Sequence, residues 1–131
     1  MTVTPLTKTL NELKTNPAVV VELYKLLFEA EYFAIVRKGT EELLNRTEFL
    51  TYETEDSVHE LPLFTADTLI IQNLLNEETS VIHIAGQPLW SRLLDLVETG
   101  KCEVAIDPEQ GYSIRLTKEM ILGMISSYGT K

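Results

Sequence analysis

The stretch from Cys102 to Leu116 constrains the fold more than any other part of the chain. Cys102, Val104 and Ile106 alternate with Glu103 and Ala105, the period of a strand that turns one face inward. Asp107-Pro108-Glu109-Gln110-Gly111 then carries turn chemistry, with proline presetting one dihedral and glycine free to take positive φ. Tyr112, Ile114 and Leu116 resume the alternation, so the stretch is predicted to be an antiparallel hairpin. A lone hairpin is marginal in water, so the other residues must supply more strands and a cover.

They are patterned to do so. Thr4 before Pro5 reads as a cap and a first-turn proline, with Leu6, Leu10 and Leu13 following at helical spacing. Asn16-Pro17 repeats the punctuation, and Val20, Leu23, Leu27 and Ala30 share one face of a second helix. Residues 32–37 read as a buried strand ended by Lys38-Gly39, and a further strand is expected near residues 49–53. Residues 53–60 are acidic and read as a hairpin or connecting loop. Leu61-Pro62-Leu63-Phe64 is expected to be extended, because the residue before a proline avoids the helical region.

Thr65 is expected to cap a helix with Asp67 in its first turn and Ile70, Ile71, Leu74 and Leu75 inward. Residues 80–85 form another apolar strand. Gly86-Gln87-Pro88 opens a helix with Leu89, Leu93, Leu96 and Val97 on one side, closed by Gly100. Thr117 caps a last helix through Ile121, Met124, Ile125 and Tyr128. The expected fold is α/β (α+β), a mixed β-sheet of four to five strands covered by helices. The apolar strands 32–36 and 81–85 are placed at the sheet centre.

At 131 residues, 44% of them hydrophobic, the chain has material for one core, and residues 1–131 are read as a single domain. No apolar run reaches the length of about 18 residues that a membrane span needs. Residues 1–10 lack the basic start and apolar stretch of a signal peptide, and a lone cysteine, Cys102, allows no internal disulfide. A cytoplasmic location is the expectation. Twenty acidic residues against 11 basic ones give a formal charge of −9, and the basic residues form no stripe. Binding to nucleic acid or an anionic membrane is not expected.

No familiar reaction centre is spelled out. The six glycines stand singly, so no phosphate loop joins a strand to a helix. His59, within Glu53, Glu55, Asp56 and Glu60, is the best acid–base or metal candidate, although charged turn residues are usually just solvated. No metal site or cofactor is expected. His83 reads as a core or sheet-face residue, and Cys102 as a small buried hydrophobe. Asp107 sits at a strand end, where it is either a catalytic carboxylate or a turn-former bonding its own backbone. Trp90 flanks the inward face of its helix and is either core or a contact anchor.

Three segments resemble the N-terminal domain of the SseB family, a bacterial group. They are the helix and strand around residues 23–36, the stretch Leu61-Pro62-Leu63-Phe64-Thr65-Ala66-Asp67, and the strand, turn and strand from Ile106-Asp107-Pro108 to Leu116 with its closing helix. The likeness spans roughly residues 20–128. The family usually has Asn-Pro where this chain has Asp107-Pro108, and its longer members carry a second domain. The resemblance implies an α/β fold and no established enzymatic activity.

The expected function is therefore a non-enzymatic binding module acting on another protein. Its contact surface is expected at the corner of Pro62, Phe64 and Thr65 with Trp90, and at His59 and Asp107, although turn, core-anchor and cap roles are the more common use of Pro62, Phe64 and Thr65, and core packing that of Trp90. Two other readings stand beside it: a small-molecule sensor or enzyme with a strand-end pocket, and an acidic inhibitor or immunity protein that covers a basic partner. A homodimer has only base rates in its favour.

Overall fold

A computed structural model describes residues 20–54, 58–100, 102–110 and 113–128. The helix expected over residues 4–13 lies outside them. Three helices, α1 (Val20–Glu29), α2 (Gly86–Gly100) and α3 (Lys118–Tyr128), accompany six strands: β1 (Glu31–Arg37), β2 (Tyr52–Glu53), β3 (His59–Phe64), β4 (Thr79–Ala85), β5 (Cys102–Ile106) and β6 (Ile114–Leu116). The sheet runs β4-β1-β3-β5-β6, with β2 pairing to β3. Among the described residues only β3 and β5 are parallel, so the sheet is mixed, in an α+β fold.

The three helices share one face of the sheet. Leu23 and Leu27 of α1, Leu89, Trp90 and Leu93 of α2, and Ile121 and Met124 of α3 close over Tyr32, Ala34, Leu61, Leu63, Val104, Ile106 and Leu116. These strand residues sit at alternate positions, as the pleat requires. On the opposite face Ile35, Phe64 and Ile70 form a second, smaller cluster with Phe33, Leu50, Leu69 and Ile71 around it.

The expected hairpin of β5 and β6 is present, with Val104 opposite Leu116 and Ile106 opposite Ile114. Thr117 starts α3 as expected, its hydroxyl accepting from the Met120 amide at 3.4 Å. Two expectations need correction. β4 is not central but an edge strand, and β3 takes the centre although it contains Pro62. The helix expected from Thr65 is also absent: residues 67–69 and 72–74 form two 3-10 turns separated by extended Ile70 and Ile71. Thr65 gives its amide and hydroxyl to another partner, and Ala66 precedes the first turn without a side-chain cap. The apolar spacing of Leu69, Ile70 and Ile71 serves the second cluster through this irregular chain.

Pro62 determines how the sheet divides. The Leu63 carbonyl accepts from Asp107 on the β5 side, so alternation turns position 62 toward β1. Continuing the register of Phe33 with Phe64 would place Pro62 opposite Ile35, and Pro62 has no N–H to give to the Ile35 carbonyl. The Leu50 amide occupies that carbonyl instead, at 2.9 Å. β1 and β3 thus pair only at Phe33–Phe64 and Ala34–Leu63. Residues 48–53 fill the wedge beyond, bridging Val36 through Phe49 and then pairing with β3 as β2.

Candidate functional site

β3 and β5 run parallel and end side by side, the position where open α/β sheets commonly bind ligands. Thr65 follows one strand and Asp107 the other. The Asp107 carboxylate is fully buried and spans the gap: Oδ1 accepts from the Thr65 amide at 2.8 Å and Oδ2 from the Thr65 hydroxyl at 2.6 Å. Asp107 has φ +48° and Glu109 φ +76°, a left-handed conformation that Asp tolerates better than most residues. Asp107 therefore does more than form a local turn. Its carboxylate ties the two central parallel strands together.

Trp90 takes the core role and not that of a contact anchor. It is completely buried, and its Nε1 donates to the Leu27 carbonyl at 3.0 Å. The Tyr32 hydroxyl donates to the same oxygen, and the two rings meet edge to face with centroids 5.5 Å apart. Leu27 lies in the last turn of α1, whose carbonyls have no partner within the helix. Trp90 and Tyr32 thus cap α1 and fasten it to α2. Burial, followed by the charge of Asp107, pushes the Tyr32 phenol well above its ordinary value. Pro62 and Phe64 are buried as well, Pro62 in the strand centre and Phe64 in the second cluster. Of the six residues expected at a contact surface, His59 alone is well exposed.

His59 opens β3 opposite Glu53 and beside Cys102 of β5. Residues 55–57 of the acidic stretch lie outside the described residues. Among the described residues, no three His, Cys, Asp or Glu side chains converge as a metal site would need. Cys102 is buried, and desolvation raises its thiol above the ordinary value, which opposes a thiolate role.

The reading of residues 53–60 as a hairpin or connecting loop agrees with the antiparallel pairing of β2 and β3 but missed a second polar cluster. Glu60 is buried in β3, where it accepts from the Tyr52 hydroxyl at 2.9 Å and from Arg115 Nε at 2.8 Å, with a further contact to Arg115 Nη2. Arg115 Nη1 also lies 3.8 Å from Glu103. Burial, the Glu60 hydrogen bond and the Glu60 charge together raise the Tyr52 phenol strongly. The signal was available: if β3 starts at His59, the period of two puts Glu60 on the face of Pro62 and Phe64, away from the helices.

An open groove of about 330 Å³ lies at the other end of the sheet. Arg37, Glu48, Phe49, Asn76 and Glu78 line it, and neither His59 nor Asp107 takes part. Arg37 and Glu48 are 3.4 Å apart with both side chains mostly exposed, so this pair contributes little to stability.

A mixed sheet with helices on one face and a buried Thr–Asp link between its parallel strands is the class of domain these observations define. The model of the SseB protein N-terminal domain matches residues 6–122, and the chain belongs to the SseB family. No curated protein matches the sequence. No helix among the described residues is long and apolar enough to cross a membrane.

Proposed function

We propose that this chain is a non-enzymatic bacterial module of the cytoplasm that recognises another protein by surface contact. The observation that carries the reading is the use made of the two buried carboxylates. Asp107 is held by Thr65, and Glu60 by Tyr52 and Arg115, so each has a structural occupation across strands. The contact surface moves accordingly, from the enclosed corner of Pro62, Phe64 and Trp90 to the exposed groove beside Glu48 and Glu78. Glu78 and the Arg37–Glu48 pair stand on its rim, and on a chain of formal charge −9 this suits a partner that presents basic side chains.

The test is capture of partners from native bacterial lysate on the immobilised chain, compared with a Glu48→Lys/Glu78→Lys variant. Capture that weakens with added salt and fails with the variant supports the reading. Capture unchanged by both removes the groove from it. The groove also favours a second reading, a small-molecule sensor, since its volume suits a small ligand. Thermal shifts across a metabolite panel that disappear in Arg37→Ala would favour the sensor over the protein-contact module.

A further inference from the structure

The two edges of the sheet are built differently. β6 spans only Ile114–Leu116 and carries Arg115 at its middle, a short and charged edge of the kind that discourages pairing. β4 runs for seven residues, Thr-Ser-Val-Ile-His-Ile-Ala, with no Lys, Arg, Asp, Glu or Pro in a chain that is 24% charged. It pairs with β1 along its whole length from Thr79–Arg37 to Ala85–Glu31, and among the described residues no strand lies on its other side. A long uncharged edge of this kind is a ready template for another strand.

The hydrogen-bond parity specifies what that strand can be. The Glu78 carbonyl accepts from Lys38 and the Gly86 amide donates to Ala30, so even-numbered residues of β4 turn their backbone groups toward β1. The odd-numbered residues Thr79, Val81, His83 and Ala85 therefore turn theirs outward. A second copy placed antiparallel on a two-fold axis through Ile82 meets this row with its own. Val81 lies opposite the partner's His83 in a hydrogen-bonded pair, and Thr79, whose amide donates to the Asn76 carbonyl at 3.2 Å, lies opposite the partner's Ala85 with its carbonyl turned outward. Val81, His83 and Ala85 are exposed on the face away from the helices, while Ile82 and Ile84 are partly buried beside the main core. The same axis carries the turn at Glu77 and Glu78 toward the partner's start of α2, which is electropositive, and within β4 it opposes no two like charges.

We propose that β4 is a self-association edge, through which two copies of this chain join their sheets antiparallel about Ile82. The inference shares Glu78 and Thr79 with the groove proposed above, but it rests on the backbone parity of β4 and concerns a second copy of this chain.

The test is sedimentation equilibrium of the full chain, with Val81→Lys and Ile82→Cys variants. The wild type should show a concentration-dependent dimer. Val81→Lys alters an exposed side chain and should raise the dimer dissociation constant at least about tenfold, with an unchanged circular dichroism spectrum and melting temperature. Two copies of Ile82 on the axis form a non-hydrogen-bonded pair with Cα atoms about 4.5 Å apart, within disulfide reach. Ile82→Cys should therefore yield a covalent dimer on mild oxidation, and the wild type, whose Cys102 is buried, should not. A protein that stays monomeric overturns the proposal, as does a dimer indifferent to Val81→Lys that gives no Ile82→Cys cross-link.

Discussion

Asp107 and Thr65 lie 42 residues apart and meet through two hydrogen bonds, one of them from a backbone amide. Removing the carboxylate with Asp107→Ala deletes both bonds and leaves an alanine at φ +48°. The expected cost is about 3 kcal/mol, against about 1 kcal/mol for Asp107→Asn, which keeps an acceptor and tolerates that backbone. Urea unfolding of the two variants checks the order. Trp90 serves similarly as a fastener: Trp90→Phe should cost about 1–2 kcal/mol through loss of its bond to Leu27, and Trp90→Ala about 3–5 kcal/mol through the cavity. Neither role was legible in the sequence. It presents Asp-Pro as a turn and Trp90 on the flank of a helix, and both partners, Thr65 and Leu27, come from distant elements. The sequence could bound these residues as structural or functional, and only the fold supplies the atoms they bond.

Elements were more legible than sites wherever their period was local. The alternation of Cys102, Val104 and Ile106 led directly to β5, and Leu23 with Leu27 to α1, because each pattern records which side is buried. Failures came where an element answers to a neighbour. Residues 65–75 have helical spacing, yet Thr65 is taken by Asp107 and the apolar side chains cover Phe64 and Ile35 from an irregular path. β4 looked central from its apolar content, but such content also fits an uncharged edge. The start of α2 offers a sharp test at this scale. A Cβ on Gly86 would stand 2.7 Å from the Phe28 carbonyl and 2.8 Å from that of Ala30, both rigid backbone at the end of α1. Gly86→Ala should lose about 1–3 kcal/mol, read as a lower urea midpoint with unchanged slope, despite alanine's better helix propensity.

For the whole molecule, the three raised groups, Cys102, Tyr32 and Tyr52, make stability sensitive to alkali. Cys102 is raised above an ordinary thiol value of 9.0, and Tyr32 and Tyr52 above an ordinary phenol value of 10.0. A raised value means the folded chain holds these protons after the unfolded chain has released them, so stability falls as pH rises. The loss should begin near pH 9, steepen past pH 10 and show a smaller slope in Tyr52→Phe, as measured by urea unfolding across that window. The tie between the central strands is the clearest case of a buried polar residue occupied in holding the fold. A double-mutant cycle on Thr65→Ala and Asp107→Ala, measured by equilibrium urea unfolding, tests this most directly. The coupling free energy should be about 2 kcal/mol. Additive effects within about 0.3 kcal/mol would contradict it.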